Sequence, residues 1–178
     1  MKTSAYVLKL GITLFLITAV VAAALAGVNS ITEPRIAAAK EEKLQQAISA
    51  VLPGGGQPLD VEAQGIVTGV YGSDKGYAVE VQPAGFGGTV TMMVGVDKSG
   101  QVLGISIVSH SETAGLGAVA AAETSAGNAF RDSFVGLSGS VAVTKDGGQV
   151  DALTGATITS RAVCEGVNAA LDMAKTLG

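Results

Sequence analysis

The sequence predicts an α+β protein: an N-terminal transmembrane helix and a stalk helix, followed by an antiparallel-sheet domain with covering helices. Three observations carry this expectation. The 19 residues from Leu10 to Val28 contain no charge, Asn, Gln or Pro. Residues 66 to 109 hold four short stretches rich in Val, Ile, Tyr and Thr, separated by turn residues. The C-terminal stretch from Thr159 to Leu177 repeats Val163, Val167, Ala170, Leu171 and Ala174 on one helical face, which suits packing against a sheet.

The N-terminal run is long enough to cross the roughly 30 Å hydrocarbon layer as a helix. A secretory signal peptide is the alternative, since Lys2 and Lys9 form a basic flank and Ala22, Ala23, Ala24 and Ala26 offer small residues for cleavage. The hydrophobic region of a signal peptide usually ends after ~7 to 15 residues, so an uncleaved span is the expectation. Both readings export the remainder. Lys2 and Lys9 precede the run, whereas Asn29, Ser30, Thr32 and Glu33 follow it before Arg35, which favours a cytoplasmic N-terminus. A net charge of −4 provides no basic footprint for nucleic acid.

Beyond the span, Thr32 fits an N-cap and Pro34 a first helical position, opening a stalk helix whose stripe runs through Ile36, Lys40, Leu44, Ala47, Ile48 and Val51. Gly54, Gly55, Gly56 and the prolines at 53 and 58 should end it. The expected organisation is therefore residues 1–31 for the cytoplasmic end and span, 32–58 for the stalk and a Gly/Pro linker, and 59–178 for an extracytoplasmic domain.

Within that domain, strands are expected at residues 66–71, 77–82, 89–96 and 101–109, with Asp97, Lys98, Ser99 and Gly100 as a hairpin turn. A helix is expected from Ala120 to Val135 with Phe130 and Phe134 on one face, then a strand-like stretch from Val141, then the closing helix from Thr159. The single cysteine, Cys164, falls in an apolar helical pattern that suits a buried thiol. One His and one Cys supply no ligand set for zinc or an iron and sulfur cluster, so no metal site is expected.

Two loops interrupt these patterns. The first runs His110, Ser111, Glu112, Thr113, Ala114, Gly115, Leu116, Gly117, and the second runs from Asp151 through Thr154, Gly155, Ala156, Thr157 and Thr159 to Ser160. The second passes from a strand-like stretch into a helix, where free amides and the positive end of the dipole favour an anion such as phosphate. Hydroxyl residues before a helix are more often plain N-caps, and the first loop also suits a simple strand exit. Residue chemistry alone therefore reaches an exported domain with an optional phosphate site.

The segment DALTGATITS resembles the flavinylation motif of the FMN-binding subunits of Rnf and Nqr respiratory complexes. HSETAGLG resembles the segment of the same family that lies against the flavin ring, with Ala114 where the family has Pro. The likeness continues through residues 76–117, Phe130 and Phe134 and the N-terminal anchor, and the compact length resembles the Rnf G subunit more than the Nqr C subunit.

The resemblance implies FMN bound covalently through its phosphate to Thr157, with Asp151, Thr154, Gly155 and Ala156 around the phosphate. Glu112, Thr113, Gly115, Leu116 and Gly117 would lie toward the ring or ribityl chain. It implies electron relay with no self-standing catalytic residues. The implied partners are other membrane subunits of an Rnf complex, membrane lipid, and a separate flavin transferase for maturation. An Nqr-type C subunit and a stand-alone membrane-tethered FMN module are the alternatives.

Overall fold

The computed structural model describes residues 2–61 and 64–178, with side chains from Val7 onward. Helix α1, Lys2–Val51, is continuous, in place of the separate span and stalk helices expected. The reason lies in Thr32, whose hydroxyl donates back to the Val28 and Asn29 carbonyls at 3.0 and 3.3 Å instead of capping a new helix. Pro34, inside the helix, removes one backbone donor, but its fixed φ is helical. The chain divides into two compact units, Met1–Glu42 and Lys43–Gly178. In the first, the apolar side chains from Val7 to Val28 are exposed all round, and α1 is long and apolar enough to cross a membrane. Ile36 and Lys40, expected on a packed stripe, are exposed too.

The second unit is built on an antiparallel meander, β1 to β5 in sequence order: Gln57–Pro58, Val67–Ser73, Gly76–Val81, Thr91–Asp97 and Val102–Ser109. Strand β1 uses the last two residues of the expected linker, pairing Gln57 with Gly72 and Pro58 with Tyr71. Proline is tolerated there because the strand is an edge. The β4–β5 turn forms as expected: Asp97 Oδ1 accepts from the amides of Gln101 and Ser99 and from the Ser99 hydroxyl, which holds the Asp97 carboxyl below its ordinary pKa.

Alternation along the strands gives the sheet two apolar faces. Val79, Val81, Met92, Val94 and Val96 face helix α3, Thr157–Leu177, through its buried Val163, Val167, Ala170 and Leu171. Ala78 and Met93 face the end of α1, where Ala47, Ile48 and Val51 are buried together with Leu52 just beyond the helix. Gly95 makes that second contact possible, since a Cβ there would collide with the Val51 carbonyl.

Two expected elements are shorter than the sequence suggests. The stretch from Ala120 to Val135 is a 3-10 turn at Gly117–Ala121 followed by α2 at Ser125–Asp132. Thr124 separates them: its backbone is extended, and its hydroxyl accepts from Gly127 N at 3.2 Å as the N-cap of α2. Phe130 and Phe134 do share a face, edge to face at 5.3 Å. Val141 opens no strand, because the Asn168 side chain takes both of its backbone groups, at 2.8 Å each, and only one parallel bridge, Val143 to Val150, forms nearby.

Candidate functional site

The two loops singled out by sequence meet at the start of α3 and enclose a cavity of about 350 Å³. Its wall consists of Phe86, Glu112, Thr113, Leu116, Gly117, Lys145, Gly155, Ala156, Thr157, Ile158 and Thr159. Seven of the residues expected from sequence are thus brought together: Glu112, Thr113, Leu116, Gly117, Gly155, Ala156 and Thr157. Asp151, Thr154 and Gly115 lie on the same loops, exposed, and do not line the cavity. Phe86 and Lys145 were not anticipated as wall residues.

Local rules explain how the second loop presents its hydroxyls. Gly155 adopts φ +73°, a left-handed turn that a side chain would strain and whose added Cβ would press on Leu116. The chain then enters α3 at Thr157, two residues earlier than expected, after Ala156 as an N-cap without a side-chain bond. Ser160 N to the Ala156 carbonyl, 3.0 Å, closes the first turn, so the amides of Thr157, Ile158 and Thr159 precede the ladder and face an anion-favouring end.

The four hydroxyls of the motif have different surroundings. Ser160 is fully buried, donating to the Ala156 carbonyl and accepting from Leu153 N, both at 3.0 Å. Thr159 is buried and donates to Glu112 Oε2 at 2.5 Å. Thr154 is exposed and off the wall. Thr157 is half-buried on the wall, its Oγ1 3.5 Å from Lys145 Nζ.

Glu112 links the two sides of the cavity. Its second oxygen, Oε1, accepts from Gly87 N at 2.9 Å, so one carboxylate joins the Phe86 loop to the first turn of α3. Glycines surround it, because a Cβ at Gly85 or Gly117 would collide with its oxygens. Beyond the wall, His110 Nδ1 accepts from Glu112 N at 3.2 Å, a local turn contact. Lys145 lies in a 3-10 turn, Thr144–Asp146, whose Asp146 forms a two-pronged ion pair with Arg161 of α3 at 2.7 Å for each contact. The Arg161 hydrogen bond and charge hold the Asp146 carboxyl below its ordinary pKa.

Among known proteins, residues 85–172 match the FMN-binding domain family and residues 1–51 match the RnfG N-terminal region. The chain is 31% identical to the G subunit of the ion-translocating oxidoreductase complex of Methanosarcina acetivorans, over 97% of this chain and 96% of that protein. This chain belongs to the family of Rnf G subunits. It is 36% identical to the G subunit of the proton-translocating ferredoxin:NAD(+) oxidoreductase complex of Clostridium ljungdahlii, over 85% of this chain and 83% of the relative. It is 32% identical to the Na(+)-translocating counterpart of Acetobacterium woodii, over 96% and 93%. The FMN-binding match contains every wall residue of the cavity, and the RnfG N-terminal match covers all of α1.

The cavity residues fit FMN. A volume of about 350 Å³ lies within the usual range for small-molecule sites, roughly 300 to 1,000 Å³. Exposed Phe86, Leu116 and Ile158 offer apolar contact for a planar ring, while Lys145 and the first amides of α3 offer a cationic corner for a phosphate. Among the described residues no group of His, Cys, Asp and Glu is placed to hold a metal. Cys164 is buried beside Val163, its thiol pushed up to about 11 by burial and by the Asp146 charge.

Proposed function

We propose that this chain is a membrane-anchored electron-transfer subunit of an Rnf-type ferredoxin:NAD oxidoreductase, relaying electrons through FMN esterified by its phosphate to Thr157. The observation that carries the acceptor assignment is the difference among the four hydroxyls. Thr159 and Ser160 are buried and engaged, Thr154 lies off the wall, and Thr157 combines a place on the wall with a neighbouring cation.

FMN when bound supplies one- and two-electron redox chemistry, and the protein's task is to hold it and tune it. Thr157 is the tether. The first-turn amides of α3 receive the phosphate, and Gly155 keeps the backbone close with no side chain in the way. Asp151, Thr154 and Ala156 shape this loop, and Gly115 and Gly117 shape the facing one. Thr113 and Leu116 meet the ring or ribityl chain. Glu112 lies on the wall with them, and through its two oxygens it also links the Phe86 loop to the first turn of α3.

The domain lies on the extracytoplasmic side of the cell membrane, with the N-terminus cytoplasmic, as the basic flank of Lys2 and Lys9 supports. There a covalent bond keeps the flavin from being lost by dilution. A flavin transferase forms the bond, other membrane subunits of the complex exchange electrons with it, and lipid surrounds α1. The names of the relatives include both a proton-translocating and a Na(+)-translocating complex, in keeping with ion coupling in partner subunits.

The test is denaturing electrophoresis under ultraviolet light, followed by peptide mass spectrometry. Wild-type chain made with a flavin transferase should fluoresce and carry an FMN adduct at Thr157, and Thr157→Ala should carry none while staying folded, since Thr157 is the half-buried first residue of α3, its hydroxyl caps nothing, and Ala is a good helix former. An adduct on Thr154, Thr159 or Ser160, or one persisting in Thr157→Ala, would overturn the assignment.

A further inference from the structure

Among the described residues Lys145 is the one cation on the cavity wall, and its geometry gives it a task. Its Nζ stands 3.5 Å from Thr157 Oγ1, so any group bonded to that oxygen begins within reach of the ammonium. Lys145 has no carboxylate partner among the ion pairs of the described residues. The nearest acid in sequence, Asp146, has both its oxygens engaged by Arg161 in the two-pronged pair. That pair also fastens the Thr144–Asp146 turn to the second turn of α3, fixing where the lysine starts. Such a contact is geometrically specific because both guanidinium prongs meet both carboxylate oxygens.

We infer that Lys145 is a phosphate-recognition residue of this site, preferring a flavin that bears a phosphate over one that does not, with Arg161 as its positioning residue. The inference rests on the FMN reading and adds to it the residue that recognises the phosphate. The ligand class is a flavin phosphate monoester before attachment and the phosphodiester afterwards, both anionic. Arg161 acts by occupying Asp146. Without it, the Asp146 carboxylate becomes free to pair with the neighbouring ammonium and compete with the phosphate.

The test uses the full chain in detergent, made without a flavin transferase and so free of covalent flavin. FMN and riboflavin are titrated separately by flavin fluorescence, and the ratio of their dissociation constants is the readout. Wild type should prefer FMN. In Lys145→Met that preference should fall roughly fivefold, the upper end for an exposed charge contact. Affinity for riboflavin should not change. Lys145→Arg should retain most of the preference, and Arg161→Leu should lose part of it although its side chain does not line the cavity. An undiminished ratio in Lys145→Met, with wild type preferring FMN, would overturn the inference and leave the FMN site standing. So would an equal loss of riboflavin affinity, which indicates general disruption. A wild type that does not prefer FMN, or binds neither flavin, would count against the phosphate site itself.

Discussion

Glu112→Ala tests whether one buried carboxylate holds the two walls of the flavin cavity together. The substitution leaves the Gly87 amide and the Thr159 hydroxyl, now at 2.9 and 2.5 Å from the carboxylate, without their acceptor. Thr159 is buried, and a buried donor left unpaired costs about 1 to 3 kcal/mol, whereas Gly87 is exposed and its amide can turn to water, so the substitution should cost roughly 1 to 3 kcal/mol. That is a large part of the ~5 to 15 kcal/mol of a typical domain. At about 2 to 4 °C per kcal/mol for a domain of this size, the melting temperature should fall by roughly 2 to 12 °C. Glu112→Gln should lose less, because its carbonyl still accepts and the Thr159 hydroxyl can turn to accept from the amide. The assay is thermal unfolding by circular dichroism of Glu112→Ala, Thr159→Val and the double variant. A coupling energy of at least ~1 kcal/mol is expected for groups in direct contact. Chymotrypsin provides an independent readout: Phe86 is 69% exposed on the loop that Glu112 anchors, and cleavage after it should accelerate in Glu112→Ala. Additive effects, below ~0.5 kcal/mol of coupling, together with unchanged cleavage would refute the bridging role.

Two further outcomes follow from packing and burial. Gly95→Ala should cost about 1 to 3 kcal/mol, since its Cβ would meet the Val51 carbonyl, whereas Gly104→Ala, opposite it in the sheet, should cost far less because only Val51 Cα lies near, at 3.9 Å; thermal unfolding of the two variants checks the contrast. Cys164, its thiol pushed up to about 11, should resist iodoacetamide at pH 8, where about one thiol in a thousand is ionised, and its alkylation should speed up as pH rises toward 11; a rate at pH 8 equal to that of the unfolded chain would refute the burial argument.

Much of the fold was legible because the relevant signals are local. Each β-strand from β2 to β5 lies within about two residues of its expected range, since alternation persists over the whole strand and the turn at Asp97 to Gly100 is specified by its own side chains. The errors fall where one local signal has two physical meanings. Thr32 followed by Pro34 reads as a helix start, yet the same hydroxyl can bond back to the previous turn, and here it does. Thr124 carries the opposite ambiguity: it looks like a residue inside a long helix and acts as the cap that divides it.

The site divides along the same line. Its two loops are contiguous motifs and were found from sequence, but Phe86 and Lys145 reach the cavity only through the fold, from the β3–β4 connection and from a turn set by the Val143–Val150 bridge and the Asp146–Arg161 pair. In sequence Lys145 is one exposed lysine among several. The choice among hydroxyls shows why even a recognised motif needs the helix register. Had α3 begun at Thr159, Thr157 would have stood in the loop before it, with its direction unfixed. Because α3 begins at Thr157, successive residues advance by about 100° around the axis, and Thr157 and Thr159 differ by roughly 200°. Thr159 therefore turns inward to Glu112 while Thr157 stands beside Lys145; Ser160, only about 60° from Thr157 around the axis, is instead held by its bonds with Leu153 N and the Ala156 carbonyl. Chemically similar hydroxyls are thus assigned to different tasks by where the helix starts, and Gly155, at φ +73°, is the residue that lets the chain turn into the helix there.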